Sequence, residues 1–298
     1  MPRATRALVA TFMVAALLAG CGSTGGLDGD LVDDWAALPP PGPFTPAAGV
    51  CHEADFAQVV SVGAYAPVDC AEPHRVETVH VGAFPAERSA PPPTGSAELR
   101  TAFAECDNRA NGYVGDNWRA GRLRLAVAVP SEPGWATGSR WYRCDLMEVD
   151  TVDAGAKVVV RTGSLRDVLR TASALRLSCH QTRTNSNGVV QSLVPVACAE
   201  RHDAEFAGVW PAPEGPYPTR NAHWAPFYAG CRSVLARFAG LPDDTDLVFR
   251  TDVVVRPPSA GRWRVGDRGI RCYLWLSNRQ VTGTLKGAGP DGLPLRTK

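Results

Sequence analysis

The chain carries almost no net charge: 31 Lys and Arg against 30 Asp and Glu leave +1. Nucleic-acid binding draws on an excess of cations facing phosphates, so this balance argues against a nucleic-acid partner. Beyond the first 20 residues no run is apolar for the roughly 20 residues that a membrane span needs. Common catalytic signatures are missing as well. There is no G-x-S-x-G, S-x-x-K, H-E-x-x-H or C-x-x-C, and no phosphate-binding glycine loop. Nothing therefore names a reaction or a cofactor, and the expectation is a protein that is not an enzyme. What is present is enough apolar residue, 45 %, for a packed core, in a length of 298 residues that suits two domains.

The N-terminus reads as a targeting segment. Arg3 and Arg6 precede the apolar run Ala7 to Leu18, which ends in Leu18-Ala19-Gly20-Cys21. This resembles a bacterial lipobox, in which the cysteine is acylated and becomes the new N-terminus. Residues 1–20 are then a lipoprotein signal peptide and Cys21 the lipidation site, holding the chain on the extracytoplasmic face of a cell membrane. Loss of two Arg takes the charge to 29 − 30 = −1. Residues 21–48 read as a flexible linker, Gly/Ser-rich, then acidic, then Pro-rich. Such a composition buries too little apolar surface to offset its ordering entropy.

With Cys21 assigned to lipid, eight cysteines remain, at 51, 70, 106 and 144 and again at 179, 198, 231 and 272. The offsets are 128, 128, 125 and 128 residues, and the surrounding text repeats with them. Val-Asp-Cys-Ala-Glu-Pro-His-Arg-Val-Glu ending at Glu77 returns as Val-Ala-Cys-Ala-Glu-Arg-His-Asp-Ala-Glu ending at Glu205, and Arg143-Cys144 returns as Arg271-Cys272. This pattern predicts an internal duplication, with residues 49–166 and 178–288 as tandem homologous domains, 167–177 as connector and 289–298 as tail. Even-numbered cysteines in an exported chain read as disulfides. Four per copy allow three pairings, and spacing alone does not choose. The reading taken is Cys51–Cys70 with Cys106–Cys144, and Cys179–Cys198 with Cys231–Cys272, the first pair of each set closing a short, turn-rich loop.

Each copy is expected to be α+β, a small antiparallel sheet stapled to one main helix. Ser96 caps a helix with Leu99, Ala102, Phe103, Cys106 and Ala110 on one face. Trp224, Phe227, Tyr228, Cys231 and Leu235 make the corresponding stripe. Val76 to Phe84, Ala204 to Trp210, Trp141 to Val149 and Arg271 to Ser277 read as strands, and Leu123 to Val129 and Leu247 to Val255 as central ones.

The sharpest polar repetition is His74 with Glu77 and His202 with Glu205. A metal is a weak reading for these four residues. In a strand, positions i and i+3 face opposite ways, the adjacent cysteines are oxidised, and zinc wants three or four ligands. A turn-capping histidine and a strand glutamate fit better, and no metal is assigned. Trp135 with Arg140 and Trp263 with Arg268 are interaction candidates, because an arginine stacked on tryptophan serves either as a ligand platform or as a loop anchor.

The second cysteine with Pro-His-x-x-Glu, the helix cysteine, the Arg-Cys strand and Thr162-Gly163-Ser164-Leu165 together resemble the septum formation domain of actinobacterial envelope proteins, here as two copies. Arg201 stands where the first copy has Pro73, and Gly269 where it has Trp141. The resemblance implies an extracytoplasmic role linked to septum formation, with an envelope or division protein as partner. A non-enzymatic interaction module is the leading expectation. A solute- or metal-binding lipoprotein with its ligand between the copies, and a wall-acting enzyme, are the alternatives.

Overall fold

Ser96 opens the first long helix: its Oγ accepts a hydrogen bond from Leu99 N at 3.2 Å. Gly115 closes the helix at φ 84°, a left-handed conformation that costs glycine little. Between them Leu99, Ala102, Phe103, Cys106, Ala110 and Val114 form the buried face of α1 (Ala97–Val114). These features come from a computed structural model that describes residues 42–153 and 155–296. Cys21, the segment 1–20 and most of the expected linker lie outside the described residues.

The first half contributes β1 (Val50–His52), β2 (Val59–Val60), β3 (Pro67–Val68), β4 (Val76–Ala83), α1, β5 (Leu123–Pro130), α2 (Glu132–Ala136) and β6 (Trp141–Glu148). The second contributes β7 (Cys179–Thr184), β8 (Val190–Val196), β9 (Ala204–Pro211), α3 (Ala225–Ala239), β10 (Asp252–Arg256), α4 (Ala260–Arg264), β11 (Gly269–Trp275) and α5 (Gly289–Gly292). The sheets run β2-β5-β6-β4-β1-β3 and β10-β11-β9-β7-β8. Without β2 the two orders agree strand for strand. Register agrees too: Cys51 lies opposite Glu77 and Val68, and Cys179 opposite Glu205 and Val196. The fold is α+β.

The disulfides are Cys51–Cys70, Cys106–Cys144, Cys179–Cys198 and Cys231–Cys272. Cys106 and Cys231 tie α1 and α3 to β6 and β11, pinning each helix over the middle of its sheet. Each bridge stabilises by about 2–4 kcal/mol.

Several details differ from the sequence expectations. Tyr228 is 41 % exposed. The buried face of α3 is Phe227, Cys231, Val234, Leu235 and Ala239, and Tyr228 lies one helical step to its side. Leu247 sits in a 3-10 turn, Thr245–Phe249, started by Asp244, whose side chain accepts from Asp246 N at 2.9 Å. The strand after it is therefore shorter than expected, and β10 is an edge rather than a central strand. The first sheet is not wholly antiparallel, since β2 pairs with β5 in parallel over two residues. The hairpin β7–β8 and its short counterparts β1 and β3 were absent from the sequence reading.

Segments expected to be loose are packed. Phe44 stacks edge-on to Tyr65, 4.9 Å between centroids, and Ser139 Oγ donates to its carbonyl at 3.0 Å. Leu169 and Leu175, in the connector, belong to the first core, and Leu293, in the tail, to the second. Among the described residues both halves fall in one compact unit beginning at Pro43.

The join between the halves is built on Arg119. This residue, 4 % exposed, follows α1 and reaches into the second half. Its Nε and Nη2 donate to Asp267 Oδ1 at 2.9 and 2.6 Å, and its Nη1 donates to Asp107 at 2.6 Å. Arg262 Nη2 reaches the other Asp267 oxygen at 2.6 Å. Burial alone would raise the Asp267 carboxyl, but Arg262 and Arg119 outweigh it and hold it below its ordinary value. Gly269 makes room for this approach, because a Cβ there would lie 2.1 Å from Arg119 Nε. Gly269→Ala is thus expected to push Arg119 off Asp267 and cost about 3–5 kcal/mol, the loss typical of breaking a buried pair. Gly261→Ala, whose Cβ meets nothing nearer than 3.9 Å, should leave the urea midpoint nearly unchanged. Equal midpoints for the two variants would remove Arg119 from this role.

Candidate functional site

The repeated His and Glu converge instead of pointing apart. His74 sits in a turn just before β4. Its backbone exchanges two 2.9 Å hydrogen bonds with Arg161, and its Nδ1–H donates to Glu72 O at 2.8 Å. Glu77, on β4, is fully buried. It accepts from Leu165 N at 2.6 Å, Ser164 Oγ at 2.5 Å and the Tyr113 hydroxyl. Gly163 N donates to Cys70 O at 2.6 Å, and Leu165 enters the core. The second half repeats this arrangement with His202 on Glu200 O, Glu205 on Leu285 N and Thr284, and Gly283 N on Cys198 O. The phrase is therefore a latch: it fastens the segment after the last strand of each half back onto the cysteine turn.

The latch also brings potential metal ligands together. Cys51, His74 and Glu77 offer ligand atoms within 4.8 Å of one another, as do Cys179, His202 and Glu205. The expectation that i and i+3 diverge fails here because His74 precedes the strand. With Nδ1 as donor, each Nε2 carries a lone pair, buried and without a partner. Both cysteines are in disulfides, which leaves one His and one occupied Glu per site, short of zinc's requirement. Glu77→Gln removes charge from an acceptor of three donors and should cost about 1–3 kcal/mol with all four disulfides still formed. EDTA should leave the melting temperature of the wild-type chain unchanged; a drop in EDTA would make the latch a metal site.

Trp135, Arg140, Trp263 and Arg268 form paired anchors. The Arg140 guanidinium lies 4.4 Å from the Trp135 ring centroid, and that of Arg268 lies 4.2 Å from Trp263. Trp135 Nε1 donates to Arg88 O at 3.1 Å and Trp263 Nε1 to Gly215 O at 2.8 Å. These contacts pin the proline-rich loops after β4 and β9. The indoles are 1 % and 4 % exposed, so a ligand cannot reach their faces, and the platform role is replaced by an anchor role.

One buried polar cluster belongs to the first half alone. His52 Nε2 lies 3.0 Å from Thr78 Oγ1 and 3.2 Å from Arg143 Nη1. The Thr78 hydroxyl donates to Asp145 Oδ1 at 2.9 Å, and Arg143 Nε donates to Oδ2 at 2.9 Å. A His, a hydroxyl and a carboxylate in contact suggest nucleophilic chemistry, but these four side chains are 0–5 % exposed. Burial pushes the Asp145 carboxyl up, with Arg143 opposing it. At the matching positions the second half has His180, Phe206, Arg271 and Tyr273, and the His180 ring meets Tyr273 edge-on at 5.3 Å.

Burial lowers His52 and His180 from 6.5 to about 4, with Arg143 adding to the effect at His52. Both are neutral in the fold near pH 7. Between 6.5 and about 4 the unfolded chain binds protons that the folded chain refuses, so stability is fully present above 6.5 and lost as pH falls. The slope is up to about 1.4 kcal/mol per pH unit for each histidine. Urea denaturation at pH 7 and pH 5 should show this loss, reduced in His180→Gln; identical midpoints at both pH values would contradict it.

A cleft of about 850 Å³ lies where the halves meet, bounded by β5 of the first and by α4 and β11 of the second. Four arginines line it, Arg124, Arg262, Arg264 and Arg271, against one acid, Asp153. Its accessible apolar lining is Phe56, Val152, Tyr217 and Val265, each partly exposed. The size is that of a small-molecule site. The sequence marks Arg271 only as part of the repeated Arg-Cys strand and gives none of these residues a binding role. The available signal was the exchange of Asp145 for Tyr273 beside an arginine that both copies keep.

A matching strand order in the two halves, four helix- and turn-stapling disulfides and paired latches define a disulfide-locked α+β fold. A family model described as septum formation matches residues 48–272 in one continuous span through both halves. The chain belongs to the septum formation family. Searches of curated proteins and of solved structures find no match.

Proposed function

We propose that this chain is an extracytoplasmic lipoprotein, anchored through Cys21, whose two homologous halves form a non-enzymatic interaction module in septum formation. The observation that carries this reading is the family match over residues 48–272. Four disulfides suit an oxidising compartment. No helix among the described residues is long and apolar enough to cross a membrane, and the attachment we propose is the lipid on Cys21. The partner is an envelope or division protein.

In dividing host cells a secretion-competent fluorescent fusion is expected to collect at midcell before constriction, and palmitate labelling should disappear in Cys21→Ser. Uniform membrane signal throughout division would count against the septal role. Persistent labelling of the variant would count against the anchor.

A second reading, solute binding between the halves, is favoured by the arginine-lined cleft.

A further inference from the structure

Arg143 and Arg271 hold the same place in the two halves, each one residue before the cysteine that bridges to the helix. Arg143 has a counter-ion two residues on, Asp145, 2.8 Å from its Nη2. In the second half that position is Tyr273. Arg271 is nonetheless buried, at 6 % exposure. Its Nε donates to Arg119 O at 2.8 Å and its Nη2 to Leu123 O at 3.3 Å. These are two neutral carbonyls, which orient the guanidinium without neutralising it. Asp267 acts on it only from a distance and is shared by Arg119 and Arg262.

A buried cation without a counter-ion is held at a cost in free energy, and burial draws Arg271 down to about 10. The group lies on the wall of the cleft. Arg262, on the same wall, has a buried Nε with no partner. Arg124 spends Nη2 on a backbone carbonyl, Ala156 O, at 2.8 Å, and the lone acid, Asp153, is paired with Arg256 at 3.2 Å. Guanidinium groups and partly exposed apolar side chains thus line one cleft. Guanidinium pairs with carboxylate and phosphate through parallel N–H···O bonds.

We propose that the cleft binds an acidic amphiphile, a carboxylate or phosphate on an apolar body, with the acid group against Arg271 and Arg262 and the body along Phe56, Tyr217 and Val265. This rests on the second reading above and names its ligand class. The sequence alternative of metal binding finds no support in this cleft, whose lining is cationic.

The test uses the full chain with its disulfides formed and Cys21→Ser, so that no anchor lipid competes. Melting is followed with octyl phosphate, octanoate, octyl glucoside and inorganic phosphate. A ligand specific to the native state raises the melting temperature. Octyl phosphate or octanoate is expected to raise it, and comparison of the two assigns the acid group. Octyl glucoside and inorganic phosphate should do so far less. Arg271→Met should weaken binding about tenfold, the loss of one charge-assisted contact. Because Arg271 also holds two backbone carbonyls, Arg264→Gln provides a second variant. Its side chain has no protein partner among the described residues and lies at the cleft mouth, so its loss should weaken binding without shifting the ligand-free melt. Arg237→Gln, on the exposed side of α3, should match the parent. Octyl glucoside equal to octyl phosphate would overturn the acid class and leave the cleft reading standing. Inorganic phosphate alone giving the full shift would overturn the apolar half. No shift with any probe would overturn the cleft reading itself.

Discussion

Arg119 carries a positive charge across the join between the halves and leaves it on Asp267. The cost of taking that guanidinium out of water is offset by its contacts: two donors on Asp267, one on Asp107, and its Cζ 4.2 Å from the Trp118 ring centroid. Arg262 and Arg271, from the other half, lie 5.3 and 5.7 Å from the same indole. Trp118 is thus surrounded by cations of both halves, and Val265 of the second half packs on the core of the first. A pair of similar sheets could be joined by a flexible connector; this one is joined by ions that lose their partners if the halves separate.

The two halves agree in strand order and register in some places and differ in others. Inside each half the latch, the disulfides and the Trp–Arg anchors are the same, because each half must fasten the same helix and the same returning segment to the same sheet. At the join the halves differ. Gly269 replaces the bulky Trp141 and admits Arg119, whereas Trp141 packs with Ala128 and Val60. Tyr273 replaces Asp145 and strips Arg271 of its counter-ion. Symmetry-breaking residues therefore mark the interface and the cleft beside it. The family match runs through both halves without a break, in keeping with a pair of halves that work as one body.

The functional reading inherits this division of labour. The repeated features, His74 and Glu77 with His202 and Glu205, attract attention by their chemistry, yet each histidine Nδ1 is spent on a backbone carbonyl and each carboxylate on backbone and hydroxyl donors, which leaves only a buried Nε2 on each histidine. The unrepeated features face the cleft with charge to spare. Membership of the septum formation family suggests the setting. The cleft adds a place where an anionic ligand can meet both halves at once, and any ligand held there bears on the same arginines that lock the join.

Much of the local structure was legible along the chain. Cysteine offsets of about 128 residues located the repeat, Ser96 and an apolar stripe marked α1, and β4, β5 and β6 were read as strands close to their observed bounds. Such features depend on neighbours within a turn or a strand, and periodicity records them. The short strands β1 and β3 and the polar hairpin β7–β8 left little periodic trace, and the 3-10 turn before β10 was set by Asp244 rather than by its apolar residues. The facing of His74 and Glu77, the burial of Trp135 and Trp263 and the union of Arg119 with Asp267 were out of reach. Each depends on residues far apart in sequence, up to 148 positions for Arg119 and Asp267. The sequence by itself determined the elements and their duplication, because these follow from local propensity and repetition. Only the tertiary structure decided which charges are paired, which are buried and which remain open to a ligand, because desolvation and ion pairing depend on how the two halves meet.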